Sequence, residues 1–132
     1  MAELSYPLGD DGRSSVRSAT GRTVSDVTLD AVVAGRLEPR DVAISADTLR
    51  LQARFAERGG NAQLGGNLRR AAELVAFDDA ELLDFYERLR PGRSSAQELE
   101  SLAASLAERG AERCAALVHE ARAVYLRRGL IT

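Results

Sequence analysis

A chain of 132 residues with 45% hydrophobic and 29% charged side chains is sized for one domain with a modest core of its own. A net charge of −2 excludes a global basic field for nucleic acid or an anionic membrane, and no run approaches the roughly 18 apolar residues of a membrane span. The single cysteine, Cys114, excludes an internal disulfide and fits a reducing cytoplasm. Aromatics are only 5% and Trp is absent, so a core must be assembled from Ala, Leu and Val.

Residues 1–24 carry Gly, Ser, acids and arginines with no period of 2 or 3.6, which predicts an extended N-terminal arm ahead of a helical domain over 25–132. Tyr6-Pro7-Leu8 is an apolar island in that arm, serving either as an anchor for a partner or as a strap over the chain's own core. The opening MAELSYPLGDDGR lacks the apolar run of a secretory signal. Thr28 then caps a short helix, Leu29–Ala34, closed by Gly35, and Pro39 starts one further turn. Ser45 is placed to cap a helix over Ala46–Arg58, whose two apolar stripes (Leu49, Ala53, Ala56 and Leu51, Phe55) predict cover on more than one side. Gly59-Gly60 ends it, and Asn61 can cap the next helix.

That next helix carries Leu64, Leu68, Ala71, Ala72 and Val75 at helical spacing, with Gly65-Gly66 in its first turns. Each such Gly costs about 1 kcal/mol relative to Ala. The pair therefore reads either as a frayed or bent start or as a close backbone approach. Asp78 caps a run with Leu82, Phe85, Tyr86 and Leu89, stopped by Pro91-Gly92. Ser94 with Gln97 forms an expected capping box for a helix to about Arg109, with Leu99, Leu102, Ala103 and Leu106 inward. After Gly110 a last helix, about Glu112–Arg128, is expected to bury Cys114, Leu117, Val118, Ala121, Val124 and Tyr125, with Gly129 as its left-handed cap. The fold class is all-α, a small bundle of about five to six helices with an extended arm.

Chemistry is scarce in this sequence. His119 is the only histidine, which removes multi-histidine metal sites, and it sits about 140° around the helix from Cys114. A buried or half-buried structural role is expected for it, and a small core residue for Cys114. Gly59-Gly60-Asn61 and Gly65-Gly66 lack the Lys-Ser/Thr ending and preceding strand of a phosphate loop. Asp78-Asp79 is explained by capping and the helix dipole. Arg69, Arg70, Arg88, Arg90 and Arg93 are interspersed with Glu73, Glu81 and Glu87, which points to a salt-bridged surface or an interface to acidic protein ahead of nucleic acid. No catalytic, cofactor-binding or metal-binding residue emerges.

The residues themselves carry more than their physics. The segments Thr28–Gly60 (TLDAVVAGRLEPRDVAISADTLRLQARFAERGG), Asn61–Ala76 (NAQLGGNLRRAAELVA), Glu81–Ser95 (ELLDFYERLRPGRSS) and Leu117–Leu130 (LVHEARAVYLRRGL), with SYPLG at Ser5–Gly9, span nearly the whole chain. In their order and spacing, NLRRAAEL before FYERLRP above all, they resemble the small (gamma) subunit of the adenosylcobalamin-dependent diol and glycerol dehydratases. Gly65-Gly66, Asn67-Leu68 and Phe85 depart from the family's usual residues.

The resemblance implies a bacterial heterohexamer, two each of large, medium and small subunits. The large subunit is a barrel holding substrate and metal ion, and cobalamin lies between it and the medium one. The reaction is radical dehydration of propane-1,2-diol or glycerol to the aldehyde. The small subunit binds no cofactor and supplies no catalytic side chain, so this chain alone is expected to be inactive. Its candidate subunit interface is Tyr6, Pro7, Leu8, Arg69, Arg88, Arg90, Pro91 and Arg93. With only four residues ahead of Ser5, no targeting extension is expected, and the location is cytoplasmic. A free-standing helical adaptor and, less well supported, a helical nucleic-acid binder are the alternatives.

Overall fold

The computed structural model describes residues 5–8 and 16–132; the rest of the 1–24 arm, residues 1–4 and 9–15, lies outside the described residues. Among the described residues six α-helices follow one another: α1 (Leu29–Val33), α2 (Ala46–Arg58), α3 (Ala62–Leu74), α4 (Asp79–Leu89), α5 (Ala96–Glu108) and α6 (Glu112–Arg127). Short 3₁₀ turns occupy Val24–Asp26 and Pro39–Asp41, and the sole strand-like pairing among the described residues is an isolated bridge between Arg17 and Thr23. The fold is all-α, as the periodicity predicts. Its helices fall into two compact units, Met1–Leu68 and Arg69–Thr132, divided within α3.

Local chemistry sets the helix ends. Thr28 Oγ1 accepts from Ala31 N–H, Asn61 Oδ1 from Leu64 N–H, and Asp78 Oδ1 from Glu81 N–H. Each satisfies an amide that the first turn leaves without an intrahelical partner. Glu81 returns to the Asp78 amide, completing a capping box. The box on α5 is one residue later than expected. Ser95 is the cap and Glu98 its partner, while the Ser94 hydroxyl donates to Arg88 O at 2.9 Å. Ser45 begins α2 without a side-chain cap bond. Gly110 and Gly129, at φ +80° and +66°, close α5 and α6 in the left-handed region that L side chains avoid.

In the second unit α5 and α6 pack face to face. Leu99, Leu102, Ala103 and Leu106 meet Cys114, Ala115 and Val118, and Phe77 and Ile131 close the core. Leu82, Phe85 and Leu89 of α4 pack against it. Tyr86, expected on that stripe, is 68% exposed. It lies about 60° around the helix from Leu89, past the edge of the inward face. The buried arc of α6 centres on Val118, so Leu117 and His119, each about 100° away, are exposed rather than inward.

Two long-range bonds fix the helix ends of this unit. Tyr125 Oη donates to Leu89 O at 2.6 Å, tying α6 to the last carbonyls of α4. Ala111, at the N-cap of α6, has no side-chain acceptor, and Glu73 of α3 fills the role. Its two oxygens accept from Arg113 N–H at 3.0 Å and Cys114 N–H at 2.9 Å.

Candidate subunit interface

The described residues of the first unit bury little of their apolar surface. In α1 only Ala31 is buried, while Leu29 is 78% and Val33 81% exposed. A five-residue helix presents one inward position and cannot turn three bulky residues away from water. Val42 and Ile44, in the irregular stretch before α2, are also exposed. Scattered exposed apolar residues are ordinary on a monomer; here they are dense along one chain segment.

That surface is shaped as well as apolar. One basin of about 530 Å³ is bounded by Val24, Val27, Val42, Ile44, Leu49 and Gln52. A second, of about 600 Å³, is bounded by Tyr6, Gln52, Phe55, Leu64 and Leu68. Both are open, and Gln52 on α2 borders both. The far bank of the second basin depends on α3 lying tight against α2. A Cβ on Gly65 would stand 2.6 Å from Glu57 Cγ and 3.2 Å from Ala53 O, so the close-approach reading of this glycine is the one observed. Gly66 has open space around it and shows no such contact.

Asp41 fixes the other bank, and sequence reasoning did not single it out. Its side chain is buried; Thr20 Oγ1 donates to Oδ1, Glu38 N–H donates to Oδ2 at 2.7 Å, and Arg22 Nε lies 3.0 Å from Oδ1. The Thr20 hydroxyl, then the Glu38 amide and Arg22, hold this carboxyl below the ordinary aspartate range. Arg22 also donates to Arg36 O at 2.8 Å, so one buried carboxylate joins the 17–23 turn to the 36–41 segment.

The sequence-predicted interface residues fall in two places. Tyr6, Pro7 and Leu8 belong to the first unit, where the Tyr6 ring lies 5.9 Å from that of Phe55 yet is 74% exposed. The arginines belong to the second unit. Arg88 pairs with Asp84 at 3.0 Å, Arg90 with Glu87 at 3.1 Å and Arg93 with Glu87 at 3.4 Å, around exposed Pro91 at the end of α4. Arg69, on α3, is half-buried. Exposed pairs of this kind contribute about 0–1 kcal/mol each, which suits a polar rim. Leu83 and Tyr86 on α4 are the large apolar residues exposed near them in sequence.

Burial first, then Glu73, pushes the Cys114 thiol up to about 12, and its Sγ donates to Arg70 O at 3.6 Å. His119 Nδ1 stands 3.5 Å from Glu100 Oε2 on the surface. No cluster of three His, Cys, Asp or Glu able to hold a metal ion occurs among the described residues. No helix among them is long and apolar enough to cross a membrane.

The family model described as dehydratase small subunit matches residues 1–132. The chain belongs to the dehydratase small-subunit family. It is 42% identical over 124 residues to the propanediol dehydratase small subunit of Citrobacter freundii. With that of Salmonella typhimurium it is 41% identical over 124 residues. Each alignment covers 93% of this chain and 72% of the relative. As a dehydratase small subunit, the chain has other subunits as partners.

Proposed function

We propose that this chain is the non-catalytic small subunit of a coenzyme B12-dependent diol dehydratase that converts propane-1,2-diol or glycerol to the aldehyde. The observation that carries this is the family match over the whole length, joined to relatives that act as propanediol dehydratase small subunits. The exposed apolar surface of the first unit supports the subunit role, because such a surface gains free energy at about 25 cal/mol per Å² only when a partner covers it. Its partners are the large and medium subunits, two copies of each, in the cytoplasm. The 1–24 arm and the Arg69, Arg88, Arg90, Pro91 and Arg93 rim contribute to the contact.

Adenosylcobalamin belongs to the holoenzyme, where it supplies the radical that starts dehydration. We assign no residue of this chain to it. His119, the one imidazole, is exposed beside Glu100 and borders neither basin, and the Cys114 thiol is buried against Arg70 O. The test is aldehyde formation with added adenosylcobalamin, on both diols, for this chain alone and for the three-subunit mixture. Turnover by the mixture and none by the single chain is expected. Turnover by this chain alone, or full turnover by the other two subunits without it, would refute the assignment.

A further inference from the structure

Each unit has its own kind of interior. Every large apolar side chain buried among the described residues, Leu99 and Val118 most completely, belongs to Arg69–Thr132. In Met1–Leu68 the described residues bury Ala31, Ala53, Gly65 and Asp41, so the one buried side chain there larger than a methyl is a carboxylate. Apolar burial is the main favourable contribution to folding and grows with the area removed from water, so the second unit is the more stable of the two. We propose that the first unit opens and closes as one cooperative piece while the second stays folded, with Asp41 as the latch that holds it closed.

The helices of the first unit do not stand alone. In it α1 has five residues and α2 thirteen, and helices below about 12–15 residues are marginal in water without tertiary packing. On α2 only Ala53 is buried, with Leu49, Leu51 and Phe55 partly covered. Asp41 supplies the tie instead. Thr20, Arg22 and Glu38 converge on its carboxylate from two stretches of chain, and α2 begins at Ala46, five residues on. A buried carboxylate stripped of its donors is costly, so this network is kept whole or lost whole, which makes the opening cooperative.

The chain also provides a place to part. The units divide within α3, and Gly65-Gly66 lies in the half that belongs to the first unit, where glycine weakens a helix relative to alanine. The other half is pinned inside the second unit. There Glu73 accepts from the Arg113 and Cys114 amides, and Arg70 O accepts from Cys114 Sγ. About two turns of α3 can therefore melt with the first unit while residues 69–74 stay in place. Both apolar basins lie in the first unit, so each opening dismantles them and each closing rebuilds them.

The test is hydrogen exchange of the full-length chain, read on peptic fragments by mass spectrometry at rising urea below the main unfolding transition. Amides of α2 should exchange about 100-fold or more faster than those of α5 and α6, and should share one urea dependence with the protected amides of residues 17–41. One rate class and one urea dependence across both units would overturn the proposal. Exchange in α2 that ignores urea, the sign of single turns fraying, would overturn it as well.

Asp41→Asn keeps the shape of the side chain and removes its charge, and so tests the latch. Exchange in α2 should quicken about tenfold or more, up to complete loss of protection, while α5 and α6 stay within about twofold of the parent. No change in α2, or equal quickening in both units, would show that Asp41 does not hold the first unit closed.

Discussion

The adjacent glycines of α3 should respond to alanine in opposite directions. At Gly66 a new Cβ meets nothing within 4 Å, so the substitution removes the cost of glycine in a helix and should stabilise by about 0.5–1 kcal/mol. At Gly65 the same propensity gain is set against a Cβ 2.6 Å from Glu57 Cγ and 3.2 Å from Ala53 O. Glu57 can swing aside, but the Ala53 carbonyl belongs to the backbone of α2, so the two helices must separate by several tenths of an ångström. Overpacking of this kind costs about 1–3 kcal/mol, which outweighs the gain and leaves a net loss. The separation also moves Leu64 and Leu68 away from Phe55 across the second basin, so partner binding should weaken with it. Urea unfolding of both variants measures the stabilities, and amide exchange in α2 and α3 locates the change. Equal stabilisation by the two alanines would refute the close-packing account of Gly65.

Three further outcomes follow from the same contacts. Leu99→Ala, at a side chain 1% exposed in the core of the second unit, should lose about 2–5 kcal/mol in urea unfolding. Glu73→Ala removes the acceptor for two amides at the start of α6 and should cost about 1–2 kcal/mol. It should also speed the otherwise slow reaction of Cys114 with maleimide, with Glu73→Gln in between. Asp41 is held below its ordinary range, so its contribution is present at neutral pH and lost as pH falls through the depressed value. Asp41→Asn should therefore flatten the acid limb of the first unit's unfolding profile and lower its stability at pH 7.

The helices were legible because their punctuation is local. Thr28, Asn61 and Asp78 each cap the helix that follows within three residues, and Gly110 and Gly129 mark ends by the one conformation they alone adopt freely. The slip at Ser94 has a local cause too. Ser94-Gln97 and Ser95-Glu98 both satisfy the capping pattern, and only the long reach of Ser94 to Arg88 O decides between them.

What escaped the sequence is what depends on distant partners. Asp41 gathers Thr20 from 21 residues away, and Glu73 reaches the start of α6 across 40 residues, with no periodicity to announce either. The first basin escaped for a related reason. Val24, Val27, Val42 and Ile44 lie in stretches too short and irregular for a pattern, and only the folded chain lines them up beside Gln52. The arginines around Pro91 were visible as a cluster, but their use in pairs with Asp84 and Glu87 was not.

The central claim is that this chain is one part of a larger dehydratase. The most direct measurement is affinity purification of the tagged chain co-expressed with the large and medium subunits of its dehydratase, followed by native mass spectrometry of the eluate. A complex holding two copies of each of three subunits is predicted, and it should form aldehyde from propane-1,2-diol when adenosylcobalamin is added. Recovery of this chain alone, folded and helical but without the other two subunits, would contradict the account.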